Sequence, residues 1–437
     1  MECFSSCRAG RAGLAPWLAT PASGVISARI PRLSWAVPPS QHELLSVLSL
    51  AVVIAAAPVV TALYAYLIYP AILWAVTRRH STGKPRVRAD DWPSVTITVP
   101  VYNAVASIRS TLQFLLELDY PKERLQLLVL SDASTDGTDD VVREFADKGV
   151  ELLRAPSRRG KTAAENSAVA VAKGEIIVNV DATIAVPPGS LKHLIRVFDD
   201  QTVGVASGRD VSVGATDLHA TRGESGYTSY EMWVRDLETH AGSIVGASGC
   251  FYGIRRRIRV SPLPPGLSWD FASTLVAREQ GYRSVSVADA VCIVPRTAEI
   301  KFEFRRKGRT MARGLSTLFH FGRLMNPVRY GSFAVMLISH KLLRWTPYLV
   351  VPPALLALGL LASQSTFAAL LLGTVVAGLL TGAAVIRSGK GIQFKPLALA
   401  GFVVAALGAG FLAWCHALRG VPMVTWEPTR RPTVSTG

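Results

Sequence analysis

Residues 95–103 read VTITVPVYN, residues 125–138 read LQLLVLSDASTDGT, and residues 176–183 read IIVNVDAT. Each stretch opens on a short apolar run, at 95–101, 125–130 and 176–180. The segments 107–118, 139–147 and 162–173 space their apolar residues as helices do. Short strands that are apolar throughout and alternate with helices belong to a parallel sheet covered on both faces. The expectation is an α/β domain over residues 92–326.

In an open parallel sheet the ligand site lies outside the carboxyl ends of the strands. Here those ends carry Pro100-Val-Tyr102-Asn103, then Ser131-Asp132-Ala-Ser134-Thr-Asp136-Gly137, then Asp181-Ala-Thr183. Asp132, at a strand tip, could accept hydrogen bonds from a bound base or ribose, although Asp is also a common helix cap. Asp136 before Gly137 is partly turn chemistry. Asp181 suits a hard divalent cation held together with substrate phosphates. Arg158-Arg-Gly-Lys161 opens a helix, where backbone N–H groups and a cation make either a phosphate site or a solvated basic turn. Trp269-Asp270 opens another, so Asp270 is either an N-cap or a general base within reach of an acceptor hydroxyl. Arg305, Arg306, Lys307 and Arg309 make 302–311 a basic amphipathic helix, suited to anionic lipid or to a diphosphate.

Outside this domain the character changes. Residues 44–76 contain no charge, more than the ~20 residues that one membrane crossing needs. Pro58 and Pro70 can kink or tilt it, so 43–77 is expected to be one span. Arg78, Arg79, Lys84, Arg86 and Arg88 follow before Asp90, which puts that flank in the cytosol. Within 346–418, the runs 349–361, 367–386 and 397–413 read as three more spans, with Trp345, Tyr348 and Trp414 near their ends. Residues 331–345 carry His340, Lys341 and Arg344 on an apolar helix, which suits a helix lying in the interface. The connector 387–395 is basic and again cytosolic. Residues 1–42 hold a single acid, Glu2, and read as a transit-like or disordered tail, or as the product of a wrongly chosen start codon. Residues 419–437 form a polar tail.

The division accounts for an unusual composition. The 437 residues are 49% hydrophobic yet carry a formal net charge of +16, with a mean hydropathy of +0.30 and a pI near 9.9. An apolar content this high excludes a disordered chain. Five scattered Cys argue against a disulfide scaffold and have no zinc-like spacing. Basic charge alone admits nucleic acid, a membrane face or a phosphate-rich substrate. Its clustering at the membrane flanks 78–88 and 387–395 and in 158–161 and 305–309 argues against nucleic acid. The near absence of ionisable residues in the spans argues against a transporter or channel.

Several short motifs now stand in one order. They are Pro-Val-Tyr-Asn (100–103), Ser-Asp-Ala-Ser-Thr-Asp-Gly-Thr (131–138), Arg-Gly-Lys-Thr-Ala-Ala-Glu-Asn (159–166) and Asp181-Ala-Thr with Pro187 and Leu191 behind it. Gly249-Cys250-Phe-Tyr-Gly-Ile-Arg-Arg256, Trp269-Asp270 with Gln280-Gly-Tyr282, and Arg306-Lys-Gly-Arg309 complete the set. Together they resemble membrane-embedded family 2 glycosyltransferases, the group containing cellulose, hyaluronan and poly-N-acetylglucosamine synthases. The resemblance reaches from Tyr69-Pro70 through His340-Lys341 to Trp426-Glu-Pro-Thr-Arg430.

The resemblance implies an α/β GT-A (Rossmann-like) catalytic domain joined to about one N-terminal and three C-terminal transmembrane helices. It implies that Pro100, Tyr102, Asn103, Asp132 and Asp136 bind a UDP-sugar, with Asp132 on the uracil, and that Lys161 and Arg309 also bind this donor. Asp181 resembles the first acid of the DxD motif, which holds Mg2+ or Mn2+. Asp270 resembles the base of the TED-like motif, and Gly249, Cys250, Trp269 and Arg306 fall in the acceptor region. Three departures stand out. Thr183 replaces the second DxD acid, Trp269 replaces the acid before the base, and Arg306 and Thr310 replace the Gln and Trp of the Q-x-x-R-W motif. The last change puts processive polymer synthesis in doubt more than sugar transfer itself. The implied reaction is an inverting transfer to a glycan in polysaccharide synthesis, by an integral protein of the bacterial plasma membrane with its catalytic domain in the cytosol. The alternatives are a lipid acceptor or a catalytically weak nucleotide-sugar-binding relative.

Overall fold

The structure, a computed structural model, describes residues 41–78, 91–213, 219–295, 300–388 and 394–425. The tail 1–40, the basic flank at 79–88, the connector residues 389–393 and the motif at 426–430 lie outside the described residues. The chain divides into two units, Met1–Ser46 and Val47–Gly437. Of the first, residues 41–46 are described and are helical.

Seven strands form one sheet: β1 Val95–Val101, β2 Leu125–Ser131, β3 Val150–Arg154, β4 Ile176–Val180, β5 Val203–Val213, β6 Phe251–Arg255 and β7 Arg283–Pro295. Their order is β3-β2-β1-β4-β6-β5-β7. All neighbours run parallel except β6, which is antiparallel to both β4 and β5. The strands expected at 95–101, 125–130 and 176–180 are β1, β2 and β4, three adjacent strands running out from the centre of the sheet. Every residue of β1 and β4 is buried, which is why these segments are apolar without alternation. Their polar residues are paired across strands: Thr96 Oγ1 donates to Gln126 Oε1 at 2.7 Å and Thr98 Oγ1 to Asn179 Oδ1 at 2.8 Å. Pro100 lies beyond Thr98, the last residue of β1 paired to β4, so its missing N–H breaks no bond on that side.

Helices α1 Gln41–Leu63 and α2 Tyr69–Thr77 are joined by a π turn, Tyr64–Ile68. Between the strands run α3 Val105–Leu116, α4 Thr138–Arg143, α5 Lys161–Val171, α6 Ser190–Arg196, α7 His219–His240 and α8 Trp269–Glu279. Beyond the sheet come α9 Ile300–His320, α10 Pro327–Tyr330 and α11 Ser332–Leu337, which passes through a second π turn, Ile338–Leu342, into α12 Leu343–Ala362. Then follow α13 Thr366–Ser388 and α14 Lys395–Leu418. A core of Ile97, Ile108, Leu112, Val129, Leu191 and Phe251 fills the space between the sheet and its helices.

Among the described residues four helical segments are long and apolar enough to cross a membrane: Gln41–Thr77, Ser332–Ala362, Thr366–Ser388 and Pro396–Leu418. Val53, Leu67, Leu356, Phe367 and Leu370 on these segments are all more than half exposed, as a lipid-facing surface requires. The segment 331–345, expected to lie in the interface, continues without a break into 346–362. On it His340 and Arg344 are buried against carboxylates of α7. α13 and α14 pack through small residues, and a Cβ at Gly382 would lie 2.5 Å from Ala400 O. Gly382→Val should therefore force these helices apart. Overpacking of this kind costs about 1–3 kcal/mol, so the variant should inactivate at a lower temperature in a thermal scan of the detergent-solubilised protein.

Candidate active site

β1 and β2 end side by side, with Asp132 N donating to Val101 O at 2.9 Å. Both tips hold non-glycine residues at positive φ, Asn103 at 48° and Ala133 at 59°, a conformation kept only where the surroundings impose it. The surroundings are bonds between the tips. Asn103 N donates to Ser134 Oγ at 3.1 Å, and Asn103 Oδ1 accepts from Thr135 N at 2.9 Å. Asp136 closes the stitch: its Oδ1 accepts from Thr138 N at 3.0 Å and its Oδ2 from Val105 N at 3.1 Å. Burial pushes the Asp136 carboxyl up, but these amides and the Thr138 hydroxyl outweigh it and hold it below its ordinary value. Both Asp136 oxygens are thus engaged in the loop itself.

Asp132 is fully buried, and its oxygens accept from Arg159 N at 2.7 Å and Gly160 N at 2.8 Å. Asp132 thereby clamps the loop that opens α5. Gly160 sits at φ 90°, and the carbonyl of Val424 occupies the place a Cβ would take. Residues just past the last apolar helix therefore lie against this loop. Beside it, the Arg158 guanidinium covers the Tyr102 ring at 3.8 Å, a cation–π pair that makes a flat platform at the tip of β1.

The clamp aims Lys161. Its Nζ donates to Asp181 Oδ1 at 2.7 Å and to Gly249 O at 3.4 Å. Burial lowers the Lys161 pKa, but Asp181, Glu165 and Asp270 together raise it above its ordinary value, so the ammonium persists at neutral pH. Asp181 is tied down in turn, its N donating to Cys250 O at 3.0 Å. No group of three or more His, Cys, Asp or Glu among the described residues forms a metal cluster. One carboxylate fits Mg2+ or Mn2+ only where substrate phosphates complete the shell.

Asp270 faces this pair across Gly249. The N-cap of α8 is Ser268, and Asp270 lies in the first turn with Oδ1 accepting from the Ser268 hydroxyl and from Phe271 N, the latter at 2.8 Å. Its Oδ2 is turned toward Gly249, where a Cβ would come within 2.8 Å. Only a glycine admits that approach. Trp269 points the other way: it is buried, donates from Nε1 to Asn166 Oδ1 at 2.7 Å and lies under Arg259 at 4.2 Å. It is part of the core and does not line the site. Arg306 and Arg309 are half-buried on α9.

Two residues near the site escaped the sequence reading. Arg313 donates from Nη2 to Thr162 Oγ1 and Leu267 O, both at 2.5 Å, tying α9 to the start of α5 and to the loop before α8. The available signal was its place four residues beyond Arg309, on the same helix face. Glu165, one turn beyond Lys161, is buried, and that burial raises its carboxyl pKa against the pull of Lys161 and Arg259. A carboxyl raised on folding contributes stability that is complete below its ordinary value and is lost as pH rises through the raised one. Glu165→Gln, neutral throughout, should therefore melt increasingly above the native protein as pH is raised from about 4 to about 8. A melting difference that stays flat or shrinks would show that Glu165 is ionised in the fold.

Comparison with known proteins agrees with this geometry. Residues 96–259 match the family model described as Glycosyl transferase family 2. The chain is 30% identical over 169 residues to a beta-monoglucosyldiacylglycerol synthase of Nostoc sp., covering 38% of this chain and 36% of that one. It is 26% identical over 228 residues to an N-acetylglucosaminyltransferase of Mesorhizobium japonicum, covering 47% and 53% of the two chains. The chain thus spans about a third to a half of the length of these curated relatives. In structure it resembles the mannosyltransferase PcManGT of Pyrobaculum calidifontis, solved in complex with GDP-Man and Mn2+, with a TM-score of 0.65 and 24% identity over 86% of this chain and 99% of that one. The strand-tip site thus lies in a stretch that matches the Glycosyl transferase family 2 model, on a GT-A-like fold, set between one N-terminal and three C-terminal helices of membrane-spanning length.

Proposed function

We propose that the protein is a membrane-bound inverting glycosyltransferase that moves a sugar from a UDP-sugar to a glycan acceptor in polysaccharide synthesis, with its catalytic domain on the cytosolic side of a bacterial plasma membrane. The observation that carries this reading is the convergence on Gly249. Lys161 reaches its carbonyl, and Asp270 Oδ2 packs where its side chain would be. A fixed cation, a carboxylate suited to a metal and a second carboxylate suited to a base thus meet around one backbone position.

The chemistry follows from that arrangement. Asp270 Oδ2 takes the proton of an acceptor hydroxyl as the oxygen attacks the anomeric carbon, and the bond from that carbon to the diphosphate breaks. Charge gathers on the leaving diphosphate, and the Lys161 ammonium, with Arg309, neutralises it. Preorganised charge of this kind is usually the largest catalytic contribution. Mg2+ or Mn2+ held by Asp181 and the donor phosphates would supply further positive charge there. The Tyr102–Arg158 platform offers a stacking face for the base, framed by Pro100 and Asn103. Asp132 and Asp136 serve the donor indirectly, by holding the loops around it.

A second acceptor class has a specific observation behind it. α9, which brings Arg313 to the site, packs on α14, with Ala312 and Leu315 against Ala413 and Trp414. The site thus adjoins the last apolar helix, as a lipid acceptor would require, and the Nostoc relative is named as a glucosyldiacylglycerol synthase. Incubating purified protein with labelled UDP- and GDP-sugars and sizing the product separates the two. A ladder or smear marks a glycan, and a single lipid-soluble species marks one transfer.

Asp270→Asn should lower kcat by about 10²–10⁴, the range general-base catalysis contributes, and leave UDP affinity within about twofold; native-like turnover would remove Asp270 from the base role. Asp181→Ala should abolish the Mn2+ dependence of UDP binding measured by calorimetry. An unchanged Mn2+ dependence would take Asp181 out of the metal shell.

A further inference from the structure

We infer that Lys341, carried on the apolar segment Ser332–Ala362, is a positioning residue for Asp270 and acts through Gly246 and Phe271. The inference rests on the reading of Asp270 as the base.

The loop 244–250 connects α7 to β6 and is tied down along its length. Ile244 N donates to Ser284 O at 2.9 Å, Val245 N to Glu238 Oε2 at 3.3 Å, Ala247 N to Asp270 O at 3.2 Å and Ser248 N to Ser207 Oγ at 2.8 Å. Gly249 and Cys250 then meet Lys161 and Asp181. One end of the loop thus belongs to a buried carboxylate of α7 and the other to the active site. Against its middle lies Lys341: a Cβ at Gly246 would fall 3.0 Å from Lys341 Cε and 3.1 Å from its Nζ.

The same ammonium lies 5.7 Å from the centroid of the Phe271 ring. Trp345, four residues further along the segment, meets that ring edge-on at 6.2 Å and 89°. Phe271 is the residue whose N–H holds Asp270 Oδ1. The apolar segment therefore grips the neighbour of the base with two side chains and supports the loop facing the base with one of them.

Lys341 is held in turn by a charged cluster. It lies in the π turn Ile338–Leu342, a distortion frequent at functional sites. His340 Nδ1 lies 2.6 Å from Glu238 Oε1, and its Nε2 lies 3.1 Å from Glu231 Oε1. Arg344 donates to Glu231 Oε2 at 2.5 Å, and Lys341 Nζ lies 3.6 Å from Glu231 Oε1. Ionisable groups on membrane-spanning helices are costly and mark function. A helix that served only as an anchor would pack on α7 with apolar side chains. Here the charges set the height and direction of Lys341. A displacement of about 1 Å at a reacting group can cost about 10²-fold in rate, so fixing Phe271 and loop 246–249 fixes the rate.

The test uses the purified full-length protein with the sugar donor on which the native enzyme turns over, and compares Lys341→Met, Lys341→Arg, Gly246→Ala and the Gly246→Ala/Lys341→Met double variant. Lys341→Met is expected to lose about 10- to 100-fold in kcat while donor KM and UDP affinity stay within about twofold, and Lys341→Arg should restore most of the loss. Gly246→Ala, which displaces only the flexible end of the lysine, should lower kcat in the same way, and the double variant should be no worse than Lys341→Met, because both act through one contact. Native kcat in Lys341→Met overturns the inference and leaves the glycosyltransferase reading standing. So does a loss shared by kcat, UDP affinity and melting temperature, which marks a merely structural lysine, and so does additivity in the double variant. Native protein that transfers no sugar from any UDP- or GDP-sugar overturns both readings together.

Discussion

A buried carboxylate with no solvent to share its charge must be given donors, and Asp132 receives two backbone amides, from Arg159 and Gly160. Hydrogen bonds to a charged group are worth about 1.5–3 kcal/mol each, so the clamp fixes the loop at the positive-φ turn of Gly160. The rest of the site follows in sequence. The loop opens α5 on Lys161, Lys161 reaches Asp181 at the tip of β4 and the carbonyl of Gly249, and the absent side chain of Gly249 lets Asp270 approach. Each step places one charge by means of the previous one.

A second set of buried charges sits where the catalytic domain meets the apolar helices. Burial pushes the Glu231 carboxyl up, yet the surrounding His340, Arg344 and Lys341 outweigh it and hold it well below its usual range. Glu238 is satisfied by Tyr69 and His340 as well as by Val245. An arrangement with this many partners specifies one relative placement of α7 and the segment Ser332–Ala362, where an apolar seam would tolerate sliding. The domain is thereby joined to the apolar segment Ser332–Ala362 in one register, with one end of the loop 244–250 fastened to the joint.

Much of the fold was legible in the sequence because burial leaves a local pattern. β1, β2 and β4 are buried on both faces and read as apolar runs. β3, VELLR, is an edge strand in which only Val150 is buried, and in β7 the exposed Asp289 interrupts the apolar residues, so neither reads as one unbroken apolar strand. Asp181, Lys161 and Asp270 were legible as candidates because strand ends and helix starts are where such a sheet exposes its polar residues. Asp136 and Trp269 were also candidates, and both are engaged within the chain, Asp136 by Thr138 and Val105 and Trp269 by Asn166.

The spacing of apolar residues over a few turns of chain was enough to specify a largely parallel α/β domain, the four apolar helices flanking it and the strand ends at which chemistry could occur. Which polar groups pair with one another, and which face the site, was set by long-range folding. Lys161 and Gly249 are 88 residues apart, Arg313 and Thr162 are 151 apart, and His340 and Glu231 are 109 apart. No local period encodes contacts at such separations. They arise when the sheet order brings β4 beside β6 and when the apolar helices return to α7, and the resulting burial then dictates which charges must be paired.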